Sequence, residues 1–201
     1  MRKLTPLPLI LFAIVSSSVA QEAVPIEEAR EGARKANATI ALEKENRLQI
    51  DADVEKPVAI RGGAVALMIV PDKRLNAGQL ATLKGELLPV AQLWTRNASV
   101  QVNGESAKRD QVRVIGVDDG FKKAEVELYL IGAKKNESGA SELLLFAKGK
   151  EPMLRLPIAS GTDPASAQTL PIELTGRKTG DTSGVLTLRF AGGQSAEIAV
   201  G

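Results

Sequence analysis

Residues 124–130 read AEVELYL, and this alternation of side chains decides the fold class. The even-numbered positions are apolar, while the odd-numbered positions carry Glu125, Glu127 and Tyr129. A period of two places the apolar side chains on one face of an extended strand. The stretch therefore predicts a β-strand with one face packed inward and the other turned toward water.

Short apolar or alternating runs recur on both sides of this stretch, and turn-forming residues separate them. The runs are 48–54, 64–70, 111–117, 142–147, 153–158, 169–174, 185–190 and 196–200. Residues 75–83 could form a short helix, and residues 87–94 a strand or a loop. Many short strands with little helical spacing predict an all-β fold, an antiparallel β-sandwich of immunoglobulin-like or jelly-roll type.

Two local signals refine the strand pattern. Asn103-Gly104 follows an apolar run and predicts a tight turn, because both residues tolerate positive φ. Leu-Pro-Ile occurs at 156–158 and 170–172, and a similar tripeptide occurs at 88–90. Proline lacks the N–H that a central strand donates, so each tripeptide predicts an edge strand or the entry to a strand.

The segment before the strands has a different period. Ile26, Ala29, Ala33 and Ala36 follow one another at helical spacing, with charged residues between them. This pattern predicts a short helix, and a loose solvated segment is the alternative, because short isolated helices are marginal in water. The expected organisation is a helix or linker over residues 21–37 and a single β-sandwich domain over 38–201.

The first twenty residues are typical of a secretory signal peptide. Arg2 and Lys3 precede the apolar residues 4–15, and Ser18-Val19-Ala20 is a small-residue cleavage site. We expect cleavage after Ala20 and a periplasmic or secreted mature protein. Gln21 follows instead of the cysteine that a lipid anchor requires, so we expect no membrane anchor in the mature chain.

Charge argues against nucleic acid as a partner. Of the 26 basic residues, two lie in the predicted signal, and the remainder equals the 24 acidic residues. Binding to a phosphate backbone needs concentrated positive charge, which no segment of this chain carries.

The chain contains no histidine and no cysteine. Ser-His-Asp and Cys-His catalysis, thiol redox chemistry, and metal sites built on imidazole or thiolate are therefore excluded. Neither GxGxxG nor GxxxxGK[ST] occurs, so nucleotide chemistry has no support, and we expect no cofactor. The lack of cysteine also favours a bacterial envelope protein over a disulfide-rich secreted one.

Carboxylates are the remaining candidates for chemistry. Asp51 with Asp53, and Glu125 with Glu127, are each two residues apart, which suits a glycosidase pair but is more typical of a solvent-facing strand. Asp118 and Asp119 precede a glycine and are candidate calcium ligands, although the same residues are ordinary turn formers. Sequons at Asn37, Asn97 and Asn136 are interpreted as chance matches.

Five residues are candidates for contact with a partner. They are Trp94, Lys134, Lys135, Arg177 and Lys178. Trp94, the only tryptophan, is expected in the core, with a binding hot spot as the alternative. The four cations occupy predicted hairpin tips, where charge is normally solvated.

The sequence therefore favours an exported, non-enzymatic β-sandwich protein that binds an envelope or extracellular protein or has a structural role. The long turn segments at 176–184 and 134–140 are the expected contact elements, and the free edges of strands entered by Pro157 or Pro171 could accept an added strand. The alternative is a carboxylate-based hydrolase or a calcium-dependent carbohydrate-binding module.

Overall fold

A computed structural model describes residues 21–40, 48–76, 78–118, 123–160 and 170–201 of the chain. The predicted signal peptide at 1–20, Asp119 and the predicted turn at 161–164 lie outside these residues. Within the described ranges, no helix has the length and hydrophobicity needed to cross a membrane.

Fourteen strands form two large sheets and a small hairpin, and every pairing between the described strands is antiparallel. In chain order, the strands are β1 (Glu22–Ala23), β2 (Val58–Gly62), β3 (Val65–Pro71), β4 (Leu88–Arg96), β5 (Gln101–Val102), β6 (Glu105–Ser106), β7 (Arg113–Asp118), β8 (Lys123–Lys135), β9 (Ser141–Phe146), β10 (Leu154–Pro157), β11 (Ala159–Ser160), β12 (Ile172–Lys178), β13 (Gly184–Phe190) and β14 (Gln194–Val200). The larger sheet has the order β1-β2-β3-β4-β8-β9-β10, with β7 also paired to β8. The smaller sheet has the order β11-β14-β13-β12.

The main hydrophobic core lies between the two sheets. Its fully buried side chains come from alternate positions of strands in both layers, including Leu93, Ile131, Leu143, Leu186 and Phe190. Two antiparallel sheets packed face to face through alternate side chains make a β-sandwich. The all-β sandwich predicted from the sequence is confirmed.

The outer face of the larger sheet carries a third layer, the helix α1 (Ile26–Ile40). Ala29, Ala33 and Ala36 are its buried positions, as the helical spacing predicts. Beneath the helix lies a second cluster that includes Trp94 and Leu128. The N-terminal segment is therefore helical and packed, and it continues past residue 37 to Ile40.

This outer layer corrects the prediction for residues 124–130. Leu128 faces the cluster beneath the helix, and Tyr129 faces the core between the sheets. Both side chains are at most 1% exposed. The polar face of β8 is therefore exposed at Glu125 as predicted, but at Tyr129 it packs into the core between the sheets.

The prediction of a strand at 48–54 is wrong. In this segment only Ala52 forms a bridge, to Asp72, and the rest is irregular. Leu48 and Ala52 are nevertheless buried, because the segment lies over the outer face of the larger sheet instead of joining it. The alternation of this segment therefore reflects burial without strand pairing.

The structure also decides between the alternatives given above for residues 75–83 and 87–94. Among the described residues of the predicted helix at 75–83, residues 78–82 form turns and none is helical, although Leu75, Leu80 and Leu83 are buried. The stretch near Trp94 is the central strand β4.

The turn and proline signals agree with the structure. Asn103 and Gly104 have φ of 55° and 83° and join β5 to β6. Pro157 lies in the edge strand β10, and Pro171 directly precedes the other edge strand, β12. Pro89 lies in a central strand, where an irregularity in the register accommodates it. The strand predicted at 111–117 is β7, which pairs with β8 and not with this hairpin.

Candidate functional site

The first pair of candidate acids does not form a site. The Asp51 Oδ1 lies 3.0 Å from the Lys73 Nζ, and the Asp53 Oδ2 lies 3.3 Å from the Lys56 Nζ. Both aspartates lie in the irregular segment, so they do not share a strand face. The Asp53 carboxylate is ion-paired with a lysine three residues further along the chain. The Asp51 carboxylate is ion-paired with Lys73, on the other side of the bridge between Ala52 and Asp72.

The second pair, Glu125 and Glu127, lies on one face of β8 beside a pocket of about 240 Å³. The Glu125 carboxylate accepts a hydrogen bond of 2.8 Å from Arg109. The Glu127 carboxylate accepts hydrogen bonds from the hydroxyls of Ser99 (2.8 Å) and Tyr129 (2.6 Å). Protein donors therefore already engage both carboxylates.

Tyr129 ties this polar cluster to the core. Its hydroxyl accepts a hydrogen bond of 3.3 Å from the Val100 N–H and donates to Glu127. Burial raises the pKa of Tyr129, and the hydrogen bond to Glu127 raises it further. The phenol therefore remains protonated over the physiological range and acts as a structural donor.

We expect Tyr129→Phe to lower the free energy of unfolding by about 1–3 kcal/mol, because the substitution leaves the buried Val100 N–H without its acceptor. Urea denaturation of the two proteins measures this difference. Ser99→Ala, which removes the other donor to Glu127 from a half-buried position, is the control and should cost less. Equal stability of Tyr129→Phe and the parent protein would show that the hydrogen bonds of the Tyr129 hydroxyl do not stabilise the fold.

Of the two candidate calcium ligands, only Asp118 lies in the part of the chain that the structure describes. Asp118 ends β7, directly opposite Lys123 of β8. No group of three or more acidic side chains that could hold a metal occurs among the described residues. An ammonium group facing the aspartate also disfavours a cation there.

Trp94 is not at the surface. It is 3% exposed, and its Nε1 donates a hydrogen bond of 3.0 Å to the Oε1 of Gln92. The indole is packed beneath α1, which the interpretation as a core residue anticipates. This burial corrects the alternative in which Trp94 contacts a partner.

The four candidate cations lie at the ends of two hairpins in different sheets. Lys134 and Lys135 end β8, and Arg177 and Lys178 end β12, where both are exposed. The turn after β8 is ordered by Asn136, whose Oδ1 accepts from the backbone of residues 138 and 140 and whose Nδ2 donates to Glu142. This structural role of the side chain supports the interpretation of its sequon as a chance match.

The two edge strands marked by prolines, β12 and β10, differ in how many backbone hydrogen-bonding groups they leave unpaired. Beside β12, the Thr179 N–H bonds to the Ser183 carbonyl, and the Ala191 N–H bonds to the Pro171 carbonyl. These bonds fix the alternation of the ladder, so the odd-numbered residues of β12 face β13. The even-numbered residues, Ile172, Leu174, Gly176 and Lys178, direct their backbone N–H and C=O groups away from β13. Ile172 and Leu174 are buried, so only Gly176 and Lys178 present these groups to solvent; we call the backbone groups of Gly176 and Lys178 the β12 edge.

The edge at β10 is less open. The Ile158 N–H bonds to the Ser141 carbonyl, so the backbone groups of Leu154 and Leu156 face β9. Arg155 and Pro157 face outward, and proline has no N–H to donate. Of the two edges that the prolines predicted, the β12 edge is the better acceptor for an added strand.

A pocket of about 210 Å³ opens beside the Lys178 end of β12, between the two sheets. Its apolar floor is formed by Ile60, Val65, Leu67, Ala98 and Val200. Its rim includes Lys178 and Asp181 from the hairpin between β12 and β13. We call this the end pocket.

Sequence patterns alone did not predict the end pocket, because its walls come from segments that are far apart in the chain. The only local signal was the hairpin at 176–184, which had been expected to be a contact element. Comparison with protein-family models, curated proteins and solved structures finds no match to this chain.

Proposed function

We propose that this chain is an exported, non-enzymatic β-sandwich protein that binds another protein of the cell envelope or extracellular space. In this proposal the partner adds an extended segment to the smaller sheet at the β12 edge. The observation that carries the proposal is the set of solvent-accessible backbone groups on Gly176 and Lys178, which face away from β13. Strand addition satisfies such groups with main-chain hydrogen bonds.

Export rests on the signal-like residues 1–20. A basic start, a short apolar run and a small-residue cleavage site are the properties that the secretory pathway reads. The balanced charge of the remaining chain is consistent with a protein partner and offers no attraction to nucleic acid.

The non-enzymatic character rests on side-chain chemistry. Histidine and cysteine are absent from the chain. The acidic pairs that could replace them are held by lysines, an arginine and hydroxyl donors. A general acid or base needs a reacting group within hydrogen-bond distance. These carboxylates are instead hydrogen-bonded or ion-paired to other groups of the protein.

Selectivity at the β12 edge would come from the exposed face of the strand. Glu173, Thr175 and Arg177 point away from the core and are exposed. Within the described part of the chain, no side-chain hydrogen bond or ion pair engages Glu173 or Arg177. An added strand with a basic residue opposite Glu173 and an acidic residue opposite Arg177 would be favoured, because opposite charges on neighbouring strands attract.

Site-specific photo-crosslinking in the native envelope tests this proposal. A photoreactive residue at Thr175, on the β12 edge strand, should give a discrete adduct with one envelope or extracellular protein. The same residue at Glu197, exposed on the same sheet face but two strands away, is the matched control and should not. The recovered protein should begin at Gln21.

Hydrogen exchange on the purified complex then identifies strand addition. The amides of Gly176 and Lys178 should exchange at least about tenfold more slowly in the complex, because each gains an acceptor. The outward amide of Arg155 on β10 should not change. Equal adducts from both crosslinker positions, or an adduct without slower exchange on β12, would reject strand addition at this edge.

A further inference from the structure

The end pocket has the composition of a site for an apolar group. Five apolar side chains form its floor, and three of them, Ile60, Leu67 and Val200, belong to the main core. The other two, Val65 and Ala98, are only partly buried and lie at the mouth. The core therefore reaches the surface here without a side chain of its own to cover it.

The volume of the pocket fits one large side chain. An apolar cavity of about 150 Å³ is enough to bind benzene. At about 210 Å³, the end pocket has room for an aromatic ring or a leucine side chain. It is too small for a drug-sized ligand, since such sites begin at about 300 Å³.

The charges at the rim do not select an ion. Arg61 lies at the rim, but its guanidinium is 3.0 Å from the Glu28 carboxylate. Lys178 and Asp181 contribute one positive and one negative charge. The rim is balanced, so the apolar floor determines which group binds.

The pocket is continuous with the β12 edge, because Lys178 belongs to both. A strand added to β12 would pass the mouth of the pocket at this end. Main-chain hydrogen bonds along an edge combined with a pocket for one side chain are the usual division between affinity and selectivity in strand addition.

We infer that the end pocket binds a single large apolar side chain, aliphatic or aromatic, of the segment that pairs with β12. This inference rests on the proposed function, for which it names the chemistry of the partner. The pocket side chain would be the anchor of the interface, since buried apolar anchors in pockets carry most of the free energy of binding.

Small probes test the pocket without the partner. N-acetyl-L-leucinamide and N-acetyl-L-phenylalaninamide carry the expected side chains, and N-acetyl-L-asparaginamide is a polar probe close in size to the leucine derivative. Titration into the ¹⁵N-labelled mature protein should give saturable millimolar shifts of the Ala98, Asp181 and Gly184 amides with the apolar probes. The asparagine probe should give none over the same range. Equal responses to all three probes would overturn the inference.

Two variants locate the binding. Ala98→Trp fills the mouth of the pocket and should weaken the apolar probes at least about tenfold. Ala107→Trp, at another partly buried alanine packed against the same core, is the matched control and should not. Val65→Thr keeps the shape of the side chain and should weaken binding by at least about 2-fold even if Ala98→Trp fails to fold. Undiminished binding in Val65→Thr together with a folded Ala98→Trp would place the probes elsewhere.

The two proposals fail separately. If the apolar probes do not bind but a partner still slows exchange on β12, the pocket inference is wrong and strand addition stands. If the probes bind in the pocket and no partner engages β12, the pocket retains its chemistry and the proposed function is wrong.

Discussion

Asp72→Ala should lower the free energy of unfolding by about 3 kcal/mol, because a buried carboxylate with several charge-assisted hydrogen bonds is lost. The Asp72 side chain is fully buried. It accepts hydrogen bonds of 2.9 Å from the Asp51 N–H and from the backbone and side chain of Arg74. It thus holds the irregular segment over the larger sheet. The midpoint temperature of thermal unfolding should fall by about 6–12 °C for a chain of this size.

The control for this substitution is Asp51→Ala. The Asp51 carboxylate is 61% exposed and is ion-paired only at the surface, so its removal should change stability by less than about 1 kcal/mol. Equal losses in the two variants would show that the buried hydrogen bonds of Asp72 do not stabilise the fold.

The same carboxylate predicts how stability depends on pH. Burial alone raises the pKa of Asp72, but the hydrogen bonds from the Arg74 side chain, the Arg74 backbone and the Asp51 backbone outweigh burial, and the pKa is lowered from its ordinary 3.8. The stabilisation is therefore complete above the unfolded-state pKa and is lost as the pH falls through the lower native pKa. Urea denaturation should show this acid-side decrease in the parent protein. Asp72→Ala should lack its contribution.

Ala33→Glu should cost about 4 kcal/mol or more, because residue 33 of α1 is completely buried and a glutamate there has no partner. The carboxylate can reach water only if the helix leaves the outer face of the larger sheet. Amide hydrogen exchange should therefore show loss of protection in α1 first. The amides of Leu186 and Ile198, in the smaller sheet, should remain the most protected.

Ala38→Glu is the matched control for the helix substitution. Ala38 lies on the exposed side of the same helix, so the same change should alter stability by about 0.5 kcal/mol at most. Similar losses at both positions would mean that helix propensity, and not docking on the sheet, determines the effect.

The fold class could be predicted because strands leave a local signature. The alternation in residues 124–130 and the turn at Asn103-Gly104 depend on neighbours in the chain, and both are confirmed. The prolines also predicted the edges of both sheets, since a missing N–H excludes a residue from most central strands. Pro89 marks the entry to a strand, as the second residue of β4, and a register irregularity beside it accommodates the missing donor.

The layers could not be predicted, because they depend on contacts between distant segments. Nothing in residues 124–130 indicates that a helix covers one face and a second sheet covers the other. The irregular segment at 48–54 has the alternation of a strand because every second side chain is buried or partly buried, yet its backbone bonds mainly through Asp51, Asp53 and the Asp72 carboxylate. Burial and strand pairing give the same pattern in a single sequence.

The candidate site was predicted in part. The hairpin after β12 and the edge entered at Pro171 are contact elements that the sequence predicts, whereas the end pocket depends on five separate segments meeting in space. Trp94 was expected in the core, but the sequence could not indicate which of two cores it joins.

The location of Trp94 has a spectroscopic consequence. Because the chain has only one indole, and that indole lies beneath α1 and not between the sheets, tryptophan fluorescence, excited where Tyr129 does not absorb, reports on the outer layer alone. Emission will shift to longer wavelength when the helix detaches, even while the two sheets stay together. A melting curve followed by tryptophan fluorescence therefore gives the temperature at which the helix detaches. Circular dichroism in the far ultraviolet gives the temperature at which the sheets unfold.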